Sequence, residues 1–454
     1  MNDRTSPVSI ASESTTPDPV YDLIGVGAGP SNLSLAALLY PHQGVRVRFF
    51  DRQATYKWHE GLLLPGASLQ INYLKDLVTP IDPTSRFSFL NYLKSCGRFY
   101  NFLNATGDKA LRHEFSAYLS WAAESLSTVQ PGVEVYRVRF NGSFQIETSV
   151  GMKRAKCLSV AVGMRSFIPE FARRHLGLNV FHSSEFVVRR KNTSLRESGA
   201  TVVIVGGGQS GAEVLLALLT EQHTPLENVV WITRRSGFPP LDETPFSNEM
   251  FSPHYSNHFY SLPEGTRAHE WKAHKFVSDG ISSETLKILY QKLYFNRYFN
   301  HKPVGVSIYS SSSAVSIEEK AGGKLRLGLE RHDIGERSYL DCDNIIFCTG
   351  YSTSLPDVIS GIAGVAWDKE KYTVLPDYSL GWDGPPQNKI FLMNAAAKSR
   401  GIADPNLSLI AWRAAVVANS FLAREAYDLS CDPPFRDFSG LVELATDIRM
   451  SAGF

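Results

Sequence analysis

Two glycine turns carry the clearest chemistry in this chain. In the first, Gly27 and Gly29 stand between an apolar run ending at Val26 and a stretch rich in Leu and Ala that opens with Pro30, Ser31 and Asn32. The second, Gly206-Gly207-Gly208-Gln209-Ser210-Gly211, follows the apolar run Thr201–Val205. A dinucleotide's pyrophosphate needs backbone N–H groups at a helix N-terminus with nothing bulky in the way, and glycines so placed provide both. Where the third glycine of the first turn usually falls, the chain has Asn32. Asp51, at the end of the next strand, is positioned to accept hydrogen bonds from ribose hydroxyls. After the second turn the matching place holds Arg234 and Arg235 and no acid. A carboxylate there would repel a 2′-phosphate, whereas guanidinium forks pair with one. FAD is therefore expected at the first turn and NADPH, in preference to NADH, at the second. The plainer alternatives are a structural glycine turn and a solvated strand end.

Such turns work only inside strand–turn–helix units, and the chain supplies two, one opening at Tyr21 and one at Ala200. An α/β fold with two doubly wound, Rossmann-like dinucleotide-binding domains is expected. Apolar strands near 157–162 and 344–348 read as late strands of the first sheet, which makes the NADPH domain an insertion in the FAD domain. The expected layout is a disordered leader over 1–20 and a first part of the FAD domain over 21–195. The NADPH domain with substrate-pocket residues follows over 196–320, then the rest of the FAD domain and a C-terminal helix over 321–454. The leader is rich in Ser, Thr, Pro and Asp and lacks the apolar centre of a signal peptide.

Composition narrows the function. The 454 residues are 43% hydrophobic and 20% charged, an ordinary globular balance that excludes disorder as the main state. Lys plus Arg number 46 against 45 Asp plus Glu, which argues against a nucleic-acid partner. The five cysteines show no CxxC spacing, so a disulfide framework, a zinc site and a dithiol reductase are all poor readings. No apolar run reaches the ~20 residues of a membrane span. A cytoplasmic enzyme acting on a small molecule is expected. His182 and His269 are expected as surface or satisfied core groups, and no metal site is expected, since neither HxH nor HExxH occurs. The aromatics of 295–299 read as a packed helix end, and Asp242 and Glu243 as neutralising partners of Arg234 and Arg235. Residues alone reach an FAD- and NADPH-dependent oxidoreductase.

A further stretch goes beyond periodicity: Trp58-His59-Glu60-Gly61, then Leu69-Gln70-Ile71-Asn72-Tyr73-Leu74-Lys75-Asp76-Leu77-Val78-Thr79, then Asp82-Pro83-Thr84-Ser85-Arg86-Phe87. Together with the second glycine turn, Pro245-Phe246-Ser247-Asn248-Glu249, Cys348-Thr349-Gly350-Tyr351 and Asp404-Pro405-Asn406-Leu407-Ser408, it resembles the microbial lysine and ornithine N-hydroxylases. These are class B flavin monooxygenases that start hydroxamate siderophores. Ser278-Asp279-Gly280-Ile281 and Gly401-Ile402-Ala403-Asp404-Pro405 resemble the lysine branch, while the Asn-Tyr segment of the ornithine branch has no clear counterpart.

The resemblance implies a C4a-hydroperoxyflavin whose distal oxygen is attacked by an uncharged terminal amine. It places Gln70 and Ser408 near the flavin, and Lys75, Asn248 and Ser408 at the substrate. Cofactor contacts are implied for Gly27, Gly29, Pro30, Asn32, Asp51, Trp58, His59 and Gln70, and for Gly206, Gly208, Gln209, Ser210, Gly211, Arg234, Arg235, Thr349, Gly350 and Tyr351. Trp58 and His59 read as pocket wall, and no general base is named. A cation at Lys75 suits a substrate carboxylate and repels a second ammonium, which favours an amino acid over cadaverine, putrescine or diaminopropane, and the branch motifs favour lysine over ornithine. A homo-oligomer, often a tetramer among relatives, is implied too. The rivals are a nucleotide-binding redox sensor, which has no use for Lys75 and Asn248, and a Baeyer–Villiger or sulfur-oxidising monooxygenase. Residues 181–185 lack the FxGxxxHxxxW fingerprint of the latter.

Overall fold

The computed structural model describes residues 19–191, 195, 199–220, 226–352, 354–365 and 372–438. Of the expected leader, residues 1–18 lie outside the described residues, as do the last residues of the chain from 439.

Short β-branched and aromatic runs form the first sheet: β1 (Val20–Val26), β2 (Val47–Asp51), β3 (Val129–Pro131), β4 (Val135–Phe140), β5 (Phe144–Thr148) and β6 (Gly151–Val160), in the order β3-β2-β1-β6-β5-β4. The strands β3, β2, β1 and β6 run parallel, and β17 (Ile390–Leu392) adds a further parallel strand against β6. Helix Pro30–Leu39 is apolar on every side and buried along almost its whole length. It belongs to the same core as helices Arg112–Ser125 and Ile410–Leu422, where each buried Leu contributes roughly 1.5–3 kcal/mol. The helix ends before Pro41, which has no N–H to continue the ladder, although Tyr40 itself keeps helical dihedrals.

The second sheet, in the order β11-β10-β9-β15-β8, is parallel throughout. Its strands are β8 (Val180–His182), β9 (Thr201–Val205), β10 (Asn228–Ile232), β11 (Gly305–Tyr309) and β15 (Asn344–Phe347). An antiparallel sheet of β12 (Ser312–Glu319), β13 (Leu325–Arg331) and β14 (Glu336–Cys342) packs on one face through Ile317, Leu327 and Leu329. The chain enters this unit through β7 (Arg165–Ser166) and leaves through β16 (Tyr351–Ser352), which pair antiparallel.

Two doubly wound units were expected and two are present. The strand at 344–348, expected in the first sheet, lies in the second, between β9 and β8. Buried parallel strands read alike in any sheet, so composition does not say which one a strand joins. The place left beside β6 is taken by β17. By strand pairing, the inserted unit thus runs from β7 to β16, wider at both ends than 196–320, and β12–β14 belong to it. The aromatics of 295–299 are a second correction: Phe295, Tyr298 and Phe299 are exposed on helix Ser283–Tyr298 and its C-cap.

Candidate active site

The first glycine turn fits a dinucleotide. Gly27 has a φ of +82°, and a side chain there would stand 2.5 Å from the Ala161 carbonyl. Gly29 caps helix Pro30–Leu39, and its outer face meets nothing closer than the same carbonyl at 3.9 Å, so a phosphate can approach the backbone. Asp51 is held at the mouth of the turn, Oδ2 accepting from the Ala28 N–H and Oδ1 from Gln53, both at 2.8 Å. The Asn32 side chain is turned into the fold. It is fully buried, its Nδ2 donating to the carbonyls of Gly27 (2.6 Å) and Ser159 (3.2 Å) and its Oδ1 accepting from the Ser159 hydroxyl. The amide ties the turn to β6.

At the second turn, Gly206 has a φ of +131°, and a side chain would sit 2.1 Å from the Cys348 carbonyl. Gly208 faces open space, and Gly211 packs on the Gly206 carbonyl. The Gln209 side chain is likewise engaged within the chain. Its Nε2 donates to Glu213 (2.8 Å) and Thr285 (3.0 Å), and its Oε1 accepts from the Ser282 N–H (2.9 Å), so it braces helix Ser283–Tyr298. Ser210 lies beside it, half-buried.

Beyond β10 a cavity of about 540 Å³ is lined by Arg234, Arg235, Phe238, Lys275 and Phe276 among others. Arg235 donates to the Asp279 carbonyl (3.0 Å), while Arg234 is exposed with no side-chain partner among the described residues. Lys275 was missed by sequence reasoning, because a helical stretch far along the chain folds back beside the turn through the Asp242 N–H and the Phe276 carbonyl (3.1 Å). Asp242 and Glu243 do not neutralise the arginines. Asp242 accepts from Ser247 (2.6 Å), and Glu243 pairs with Lys109 (2.8 Å).

Between the two units, residues 69–79 form a loop held by the Leu69 N–H on the Ala110 carbonyl (2.8 Å) and the Tyr73 N–H on Asp108 (3.2 Å). Asp76 is fully buried; burial pushes its carboxyl up, against four donors from Val78, Thr79 and Phe89 that fix the loop. Lys75 beside it is half-buried. Burial pushes its ammonium down, and it has no ion pair or side-chain hydrogen bond among the described residues. Gln70 is exposed.

Asn248 ends helix Pro245–Asn248, its Nδ2 on the Glu243 carbonyl (3.2 Å). The Lys109–Glu243 pair thus joins its segment to the strip that holds the Lys75 loop. Ser408 is buried and donates to Asn406 Oδ1 (2.7 Å), which leaves its oxygen free to accept. The Ser34 hydroxyl lies between the carbonyls of Leu77 (2.5 Å) and Ile410 (3.4 Å), bringing the Lys75 loop and the Ser408 turn to the same helix.

Other residues line or brace the junction. Trp58 lies 4.3 Å from His59, ring to ring, and 5.8 Å from Phe115. His59 has a φ of +54°; solvent reaches it, yet the surrounding walls, helped by Arg112, push its imidazole down to about 4, so it is neutral at pH 7. Thr349 donates to the Phe167 carbonyl, and the Gly350 carbonyl accepts from His182 Nε2 (3.1 Å) and the Phe167 N–H (2.9 Å). Tyr351 packs on the His182 ring at 5.2 Å. These three hold the return from the inserted unit.

Two ion pairs escaped sequence reasoning. Arg112 grips Glu213 with two 2.7 Å bonds across the junction, and buried Arg413 pairs with Asp404 (2.9 Å) while reaching Ser31 at the first turn (3.2 Å). Glu213 stands two residues past the second glycine turn, the only signal available. Among the described residues no cluster of metal-ligating side chains occurs, and no helix is long and apolar enough to cross a membrane.

Comparisons agree with this geometry. The profile of the L-lysine 6-monooxygenase/L-ornithine 5-monooxygenase family matches residues 19–353. The L-lysine N6-monooxygenase of Escherichia coli is 36% identical over 417 residues, covering 91% of this chain and 97% of that protein. Among solved structures, a cadaverine monooxygenase of desferrioxamine biosynthesis from Erwinia amylovora, bound to FAD, superposes with a TM-score of 0.86 at 28% identity. It covers 94% of this chain and all of its own. The ornithine N-hydroxylase of Kutzneria sp. 744, with reduced FAD, NADP⁺ and L-ornithine, gives a TM-score of 0.82 at 28% identity over 90% of this chain and all of its own. With three quarters of its length matched and its glycine turns built to fit, the chain belongs to the L-lysine 6-monooxygenase/L-ornithine 5-monooxygenase family.

Proposed function

We propose that this chain N-hydroxylates the terminal amine of L-lysine, giving N6-hydroxylysine as an early step of hydroxamate siderophore assembly. The broader assignment is a flavin N-monooxygenase of hydroxamate siderophore biosynthesis that uses FAD and NADPH and acts on lysine, ornithine or a diamine. FAD is assigned to the turn of Gly27 and Gly29 with Asp51 at its ribose. NADPH is assigned to Gly206, Gly208 and Gly211, with Arg234 and Lys275 facing its 2′-phosphate. Bound FAD, reduced by NADPH, supplies the activation of dioxygen.

The chain's own residues do the rest. Lys75 binds the substrate carboxylate, Asn248 and Ser408 orient the amine end, and Trp58, packed on Phe115, forms part of the wall. An amine with a reference pKa of about 10.4 reacts only as the free base, and a desolvated cleft favours that form. One observation carries an amino acid over a diamine: the half-buried Lys75 ammonium has no anion of its own among the described residues. Lysine over ornithine rests on the likeness to the Escherichia coli L-lysine N6-monooxygenase. A diamine is the second reading. It is favoured by the Erwinia amylovora structure and by the burial that drives Lys75 toward its uncharged form, which weakens repulsion of a second ammonium.

The test is hydroxylamine formation per NADPH consumed over lysine, ornithine, cadaverine, putrescine and diaminopropane. Lysine is expected to give the highest kcat/KM. A diamine ahead of lysine would overturn the substrate, and hydrogen peroxide as the only product from every amine would overturn the reaction.

A further inference from the structure

The C-terminal chain runs from the Ser408 turn to the segment that follows Asn248. Helix Ile410–Leu422 begins directly after the turn of Ser408. In its last turn Asn419 binds the chain that follows three times, Nδ2 donating to the Tyr427 carbonyl (2.8 Å) and Oδ1 accepting from the N–H groups of Ala426 and Tyr427 (both 2.9 Å). The Tyr427 hydroxyl donates to the Leu38 carbonyl, fastening this stretch to the first unit. Residues 431–438 then lie along the segment that follows Asn248. Cys431 Sγ is 3.3 Å from His254 Nδ1, and Phe438 packs on Tyr255 and His258 with ring centroids 5.2 and 5.7 Å away. Between these anchors the backbone N–H groups of Phe435 and Arg436 donate to the two carboxylate oxygens of Glu249, at 2.8 and 3.1 Å. Glu249 is the residue after Asn248.

We infer that residues 431–438 are a strap that fixes Asn248 relative to Lys75 and Ser408, with Glu249 as its positioning residue. The inference rests on the assignment of Asn248 to the amine pocket. Helix Pro245–Asn248 has four residues, too few to be stable alone, so its ends are set by tertiary contacts. The Asp242–Ser247 bond and the Lys109–Glu243 pair hold the side facing the first unit. The strap holds the other. Hydrogen bonds to an ionised carboxylate are short and strong, and two donors on its two oxygens fix both its position and its plane. Pro433 and Pro434 restrict the approach to these donors, so little backbone freedom is lost in making the contact. The Phe435 side chain is 98% exposed, which leaves its backbone N–H as its contribution to the clamp. A pocket wall held this way admits a narrow range of amine lengths; a wall free to drift positions every amine poorly.

Because the contact is made by backbone, it can be removed at one atom. Phe435→Pro deletes the N–H, while Phe435→Ala keeps it. Phe435→Pro and Glu249→Ala are each expected to raise the amine KM about tenfold and to lower hydroxylamine formed per NADPH. FAD content and the rate of flavin reduction by NADPH without amine stay at the wild-type level. Glu249→Gln, which keeps an acceptor oxygen, recovers part of the loss, and Phe435→Ala behaves as the wild type. Unchanged KM and coupling in both Phe435→Pro and Glu249→Ala would overturn the strap. So would loss of FAD in step with amine binding, which marks a folding role only. If the wild-type chain hydroxylates no amine, the pocket assignment fails first, and the strap with it.

Discussion

A cation half-withdrawn from water with no anion beside it is unfavourable, and Lys75 is in that state. An amino-acid carboxylate relieves it; a diamine's second ammonium does not. A hydrogen bond between charged groups contributes about 1.5–3 kcal/mol, so Lys75→Met should raise the KM for lysine about 10- to 150-fold. The same change should leave the KM for cadaverine equal or lower it, because it removes a repulsion. Steady-state kinetics with both amines checks this, and equal loss for both would remove Lys75 from carboxylate binding. Residue types and spacing made the glycine turns, Asp51 and the arginine pair legible, and family resemblance pointed to Lys75, Asn248 and Ser408. Spacing leaves the direction of the Asn32 and Gln209 side chains open for one physical reason. It places a residue at the turn, but the direction of its side chain is chosen by partners distant in sequence, Ser159 on β6 and Ser282 before helix Ser283–Tyr298.

At the scale of elements, the strands themselves were readable and their sheet was not. The strand at 344–348 is apolar on both faces, and nothing in its composition separates one parallel sheet from another. What decides its place is the crossing through β7 and β16, two strands of two residues each that no periodicity reveals. His182 secures that crossing. Its Nδ1 accepts from the Ser184 N–H (3.1 Å), so Nε2 carries the proton donated to the Gly350 carbonyl. Burial pushes the imidazole down to about 4, overcoming the opposing pull of the Gly350 carbonyl and Glu185. The folded state therefore keeps His182 neutral where the unfolded chain, near 6.5, takes up a proton. Stability from this group is complete above pH 6.5 and falls as pH drops from 6.5 toward 4, by on the order of 3 kcal/mol. Melting temperature against pH should show this slope in the wild type and a flatter one in His182→Gln. Parallel curves for the two proteins would place the acid sensitivity elsewhere, with His59 the next group to examine.

For the whole molecule, the proposed placing of FAD on the first unit and NADPH on the second requires that the two separately folded units keep one orientation. Arg112, at the start of helix Arg112–Ser125 in the first unit, reaches Glu213 in helix Gln209–Thr220 of the second, with side-chain exposures of 13% and 7%. The pair was invisible in the sequence because its partners lie 101 positions apart, although Glu213 stands just past the second glycine turn. Glu213 also accepts from Gln209, so the brace of the nucleotide turn and the inter-unit pair are one network. Breaking a buried pair by removing one partner costs about 3–5 kcal/mol, since the remaining charge stays buried. Arg112→Gln should accordingly lower the melting temperature and slow NADPH-dependent flavin reduction more than tenfold at saturating NADPH. The Kd for NADPH should change little, because Arg234 and Lys275 lie on the second unit. Adding Glu213→Gln removes the stranded carboxylate, so the double variant should regain most of the stability while reduction stays slow. Stopped-flow loss of flavin absorbance beside thermal melts separates the two effects. Reduction at the wild-type rate in Arg112→Gln would mean that the strand crossing at β7 and β16 alone sets the orientation.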